Sequence, residues 1–261
     1  MAERADVIIA WSHGGIPKSV QPEFQRPTRF ITVPSPEKWS QTLAGLLPSP
    51  IRGIVAKYAP GVEPLRVAVL GFSASCSGVV QMLASSDGGR IDSALAIDGI
   101  HAGYDAQKKP NAASMKTWVE FAKLAFLNER LFVITHSSVV PPNYASTTET
   151  ANYIWNALGE SSDFADPPLP DLSVAPTSVH VAAGPATGPD RTVQYPAPPW
   201  KTQRRRGGLV ILGCNNNDVP RGTADHIYQA KAMLSLALTR FLAARWNNMD
   251  PNAPGASCYV G

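Results

Sequence analysis

Six short apolar runs, each giving way to polar or helix-patterned sequence, constrain this chain more than any other feature. They are DVIIAWS (6–12), RFITVP (29–34), LRVAVLG (65–71), DSALAID (92–98), RLFVITH (130–136) and GLVILGC (208–214). Each is rich in β-branched residues and nearly continuous in hydrophobicity, as a strand covered on both faces should be. Helical patterns lie between them: EKWSQTLAGLL after Pro36, CSGVVQMLASS after the third run, AASMKTWVEFAKLAFLN over 112–128, and TTETANYIWNAL with Thr147 as its N-cap. The longest, TADHIYQAKAMLSLALTRFLAARWN, keeps Ile227, Ala230, Leu234, Ala237, Leu238, Phe241 and Leu242 on one face. Strands alternating with helices predict a single α/β domain over residues 1–261. Its sheet should be doubly wound and mostly parallel, with helices on both faces.

One region breaks the rhythm. Residues 161–207 are dense in proline (PPLPDL, VAPTS, YPAPPW) and hold one short strand-like run, SVHVAAG. A stretch this long without a helix reads as a functional excursion or a mobile segment. The basic run Arg204-Arg205-Arg206 falls inside it and reads as a solvated loop.

Composition narrows the function classes. A hydrophobic fraction of 44% with 16% charged residues suits a globular protein, and a net charge of +3 is too small to imply a nucleic-acid partner. The cysteines, Cys76, Cys214 and Cys258, are odd in number and lack CxxC spacing, which argues against a disulfide framework and a zinc site. The N-terminal MAERADVIIAWSHGG has five consecutive apolar residues, too few for a signal-peptide core. No apolar run approaches the ~18 residues of a membrane span. The expectation is a soluble protein, cytoplasmic by default.

In an open parallel sheet, reactive groups gather at the carboxyl ends of the strands. The polar residues there are Ser12-His13-Gly14-Gly15, Ser73, Asp98, Thr135-His136 and the loop 215–226 ending in His226. Ser73 lies in GFSASCSG, where an apolar run passes directly into a helical pattern. A serine hydroxyl becomes a useful nucleophile only when a base takes its proton and dipoles support the oxyanion. A sharp strand-to-helix turn presents the side chain and offers free helix N–H groups, provided that small residues flank it. Gly71 and Ser75 stand two before and two after Ser73, and Cys76 reads as a small packing residue.

GFSAS resembles the GxSxG nucleophile elbow of the α/β-hydrolase superfamily, with Ser75 in place of the last glycine. The resemblance extends over roughly residues 6 to 246 and implies the chain order serine, acid, histidine. His226 fits that order, after the last apolar run and at the start of the last helix; His13, His101, His136 and His180 are less well placed. The family most often carries the acid after the penultimate strand, yet SSVVPPNYASTTE holds no carboxylate before Glu149. One strand earlier, Asp98 closes an apolar run, an arrangement that some members resemble. Asp98 is the expected acid, with Asp105, Glu149 and Asp218 as alternatives; Asp225 would point away from His226 on a helix. The resemblance implies an oxyanion hole made by the Ala74 amide and by Gly14 or Gly15 in WSHGG, which is similar to the HG-type loops of lipases and esterases.

Together these imply a serine hydrolase that cleaves carboxylic esters through an acyl-enzyme, without metal or organic cofactor. The substrate would be a small-molecule or polymer-linked ester, with Phe164, Tyr195 and Trp200 of the Pro-rich segment available as a lid or wall. A non-catalytic binding protein of the same fold is the alternative. A nucleotide-binding Rossmann domain is disfavoured because neither WSHGGIPKS nor GFSASCSG fits GxGxxG.

Overall fold

All six apolar runs become strands of one sheet in the computed structural model, which describes residues 2–11, 21–33, 49–159, 177–184, 189–195, 200–214 and 223–248. The strands are β1 (Glu3–Trp11), β2 (Thr28–Val33), β3 (Val62–Phe72), β4 (Ile91–Ile97), β5 (Leu131–His136), β6 (Thr177–Val181), β7 (Arg191–Tyr195), β8 (Thr202–Arg206) and β9 (Leu209–Gly213). The helices are α1 (Pro50–Tyr58), α2 (Cys76–Ala84), α3 (Ala112–Phe126), α4 (Thr147–Ala157) and α5 over 223–248. The seven-stranded sheet has the order β2-β1-β3-β4-β5-β9-β8. Every neighbouring pair is parallel except β8 with β9. The chain is therefore a single α/β domain, mostly parallel, with helices on both faces.

The strand period of two sorts side chains into two cores. Val7, Ile9, Val67, Val69, Phe132 and Ile134 pack with Ile54 of α1, Met82 of α2, Trp118 of α3 and Ile154 of α4. Ile8, Ala10, Leu70, Val133 and Leu212 face the other way, onto Tyr228, Leu238 and Leu242 of α5. In α5 the expected apolar face is buried at Leu234, Ala237, Leu238, Phe241 and Leu242. The helix widens to π geometry at Gln229–Met233 and Ala237–Leu242.

The far end of α5 is pinned to the lower half of the sheet. Arg66 of β3 forms a buried ion pair with Asp6 of β1 and donates from Nη1 to the Trp246 carbonyl at 2.8 Å. The Trp246 indole N–H donates to Asp92, at the start of β4, at 2.8 Å. The opposite end of α5, carrying His226, is thereby held toward the carboxyl edge of the sheet.

Two expectations need correction. Arg204-Arg205-Arg206 is not a loop but most of edge strand β8, and the described part of the Pro-rich segment also holds an antiparallel hairpin, β6–β7. β8 pairs with β9 on one side only, and its residues stay exposed or half-buried, so it carries no apolar run to announce it. Arg204 lies 5.7 Å over the Trp155 ring and donates to Asn152, while Arg206 lies 4.8 Å over Phe126. The N-cap of α4 is Ser146, not Thr147. The Ser146 hydroxyl accepts from the Glu149 amide, and the Glu149 carboxylate accepts from the Ser146 amide. The helix expected in EKWSQTLAGLL lies outside the described residues. Among the described residues no helix is long and apolar enough to cross a membrane.

Chain direction across the sheet reverses at β1: β2 lies on one side of it, and β3 with the later parallel strands on the other. The crevice outside the carboxyl ends of β1 and β3 is the switch point where open α/β sheets bind ligands. Ser73 directly follows β3 there.

Candidate active site

Ser73 follows the last residue of β3 with φ +56°, a left-handed conformation that is rare for a side chain larger than glycine. A single turn of 3₁₀ helix, Ser73–Ser75, then leads straight into α2. The chain reverses so tightly that a Cβ at Gly71 would lie 2.9 Å from the Ser75 carbonyl group and the Cys76 nitrogen. The need for a small residue is thus met at Gly71, while Ser75 keeps ordinary helical angles (φ −61°, ψ −20°) and is buried. Cys76 is a packing residue: its thiol donates to the Gly71 carbonyl at 3.2 Å, and burial pushes its pKa far up. Ala74 sits in the first turn, where helical N–H groups have no intrahelical partner.

Asp98 directly follows the neighbouring strand β4, also in the left-handed region at φ +44°. The next residue must be glycine, because a Cβ at Gly99 would lie 2.3 Å from the Ser73 carbonyl oxygen and 2.4 Å from Cys76 Sγ. The acid-bearing turn is thus packed directly against the serine-bearing turn.

Asp98 Oδ2 meets His226 Nδ1 at 2.6 Å, joining residues 128 positions apart. An ionised carboxylate can only accept, so Nδ1 carries the proton and Nε2 is left as the basic nitrogen. The other carboxylate oxygen accepts from the Ser137 amide at 2.9 Å and from the Thr147 hydroxyl at 2.5 Å. Burial pushes the Asp98 carboxyl upward, yet the hydrogen bond and charge of His226, with the Ser137 and Thr147 bonds, hold it below its ordinary value. Asp98 is 2% exposed at its side chain and His226 32%, so the acid is shielded while the imidazole stays open to solvent. Phe72, the residue before Ser73, stacks on the His226 ring with centroids 4.7 Å apart. The Asp98–His226 pair therefore lies beside the Ser73 turn at the carboxyl edge of β3 and β4, reached through the Phe72 stack and the Gly99 contact.

The alternative acids do other work. Asp105 Oδ1 accepts from the Gln107 and Lys109 amides and closes a surface loop. Glu149 completes the α4 capping box and accepts from the Tyr104 hydroxyl. Asp218 lies outside the described residues, as do Gly14 and Gly15. Among the other histidines, His136 is buried, with Nδ1 2.8 Å from the Thr148 hydroxyl, and burial pushes its pKa down to about 4. His180 is an exposed partner of Asp190 on the hairpin, and His101 is exposed with its ring edge-on to Tyr144. His13 is outside the described residues.

Sequence reasoning missed Ser137, Thr147 and Phe72. The Ser146-x-x-Glu149 capping pattern was a readable signal that Thr147 was free of capping duty. Among the described residues no cluster of three His, Cys, Asp or Glu side chains could hold a metal. Compared with known proteins, the chain matches no family model, no curated sequence and no solved structure.

Proposed function

We propose that the protein is an α/β-hydrolase-like serine hydrolase that cleaves carboxylic esters. The observation that carries this reading is the 2.6 Å bond between buried Asp98 and solvent-reachable His226, beside a serine in a strained strand-to-helix turn.

In the proposed reaction, Ser73 Oγ attacks the ester carbonyl carbon as His226 Nε2 takes its proton. Asp98 accepts from Nδ1–H, which fixes the tautomer and stabilises the imidazolium. The Ala74 amide, with a glycine amide from the 13–15 loop as the second donor, would hold the oxyanion. Collapse of the tetrahedral intermediate expels the alcohol, which leaves with the proton from His226. Water, deprotonated by His226, then attacks the acyl-enzyme; the acid is released and Ser73 regains its proton. Hydrolysis of a short p-nitrophenyl ester tests the reading. An initial burst of nitrophenol, absent in Ser73→Ala, is expected. Turnover that survives Ser73→Ala would overturn it, and no turnover on any ester would favour a binding protein of the same fold.

A further inference from the structure

Asp225 precedes His226 on α5, yet it turns into the protein and is fully buried. A carboxylate is costly to place there unless strong hydrogen bonds hold it. Its Oδ1 accepts from the Tyr195 hydroxyl of β7 at 2.6 Å, and its Oδ2 accepts from the Ser138 hydroxyl at 2.5 Å. Tyr195 also stacks on Tyr228, one turn further along α5, with centroids 4.1 Å apart and planes 17° apart. The hairpin from the Pro-rich segment is therefore fastened to the histidine-bearing turn at two points.

The Ser138 bond closes a ring. His226 bonds to Asp98, Asp98 accepts from the Ser137 amide, Ser138 is the next residue, and Ser138 bonds to Asp225, the residue before His226. Two of the five links in that circuit are covalent, so the three hydrogen bonds tie the placement of His226 against Asp98 to that of Ser138 against Asp225. Gln229, in the next turn of α5, adds a tie by donating to the His136 carbonyl at 3.3 Å.

We propose that Asp225 is a positioning residue: through Tyr195 and Ser138 it fixes His226 against Asp98 and makes the β6–β7 hairpin part of the active-site frame. The consequence for catalysis rests on the serine-hydrolase reading, whereas the geometric role does not. A misplacement of about 1 Å in a catalytic group can cost on the order of 10²-fold in rate, because the reacting atoms must be held about 3–3.5 Å apart and aligned.

The test uses the full chain with Asp225→Ala, Asp225→Asn, Tyr195→Phe and the double variant Ser138→Ala/Tyr195→Phe. Two quantities are read: steady-state hydrolysis of a p-nitrophenyl ester, and the far-downfield NMR resonance of the His226 Nδ1–H, assigned by its loss in His226→Gln. Asp225→Ala is expected to lower kcat roughly 10- to 100-fold. KM should stay within about twofold, and the resonance should shift or broaden. Asp225→Asn, whose amide oxygen can still accept, should recover part of kcat. Tyr195→Phe, which keeps the stacked ring, should lose less in the same direction. Unchanged kcat and an unchanged resonance in folded Asp225→Ala would overturn the proposal. If that variant does not fold, a wild-type resonance in the double variant would overturn it instead. Should the wild-type protein hydrolyse no ester, the hydrolase reading fails and the resonance alone decides the role of Asp225.

Discussion

Ser73 holds a backbone conformation that costs an L-residue about 1–2 kcal/mol, since its Cβ crowds the following carbonyl. The turn persists because Gly71 and Gly99 let its backbone be gripped from both sides. Ser73→Gly should therefore be more stable than Ser73→Ala by up to about 1 kcal/mol, the strain relief exceeding the entropy of the freer unfolded chain. Urea unfolding of the two variants checks this, and both should lack hydrolytic activity. Asp98→Asn offers an amide to Nδ1 and disturbs the tautomer that the proposed mechanism needs, so under that proposal kcat should drop by about four orders of magnitude with the fold retained. A loss below about tenfold in the p-nitrophenyl ester assay would remove Asp98 from the catalytic role. Asp98 could be picked out in the sequence because a charge closing a buried strand needs a partner. Ser137 could not, and for Thr147 the capping box showed only that its hydroxyl was free of capping duty, because small polar side chains acquire such roles through tertiary placement.

Among the elements, those with a strong period were legible and those without were not. β1, β3, β4, β5 and β9 are buried apolar runs, and α3 and α4 match the helical spacing to within two residues. α1 went unrecognised because PIRGIVAKY is only nine residues long and contains both proline and glycine; it folds as a helix with Pro50 in its first turn and Ile51, Ile54 and Val55 buried. β7 and β8 were hidden by their polarity: RTVQY buries only Tyr195 fully, and TQRRR lies at a sheet edge with no residue fully buried. The π turns of α5 leave no mark in a pattern read at 3.6 residues per turn. The anchor of α5 depends on Arg66, so Arg66→Met should strand the Asp6 carboxylate in the core and cost about 3–5 kcal/mol. Urea unfolding should show this as a lower midpoint at an unchanged slope.

At the scale of the whole molecule, the mostly parallel sheet with helices on both faces follows from the alternation of elements, whereas its strand order and switch point do not, because alternation leaves open which strands pair. The way the Pro-rich segment attaches to the site does not follow, since it rests on the Tyr195–Asp225 and Ser138–Asp225 bonds between distant segments. The buried polar residues also set how global stability responds to pH. His136 is held neutral in the fold down to about pH 4, whereas its ordinary value is 6.5. Below pH 6.5 the unfolded chain binds a proton that the folded protein does not, so stability falls as pH drops through that window. The loss amounts to about 3 kcal/mol by pH 4. Asp98 is shifted downward, so its contribution is complete above 3.8 and disappears only at lower pH. The urea midpoint should accordingly fall between pH 7 and pH 4.5, and His136→Gln should flatten that slope.

Covalent labelling by a fluorophosphonate, located by mass spectrometry of the digested protein, tests the catalytic assignment most directly. It requires both the activated serine and its base, whatever the natural ester is. The expected result is a single adduct on Ser73, absent in Ser73→Ala and strongly slowed in His226→Gln. An unlabelled wild-type protein, or labelling that persists in Ser73→Ala, would contradict it.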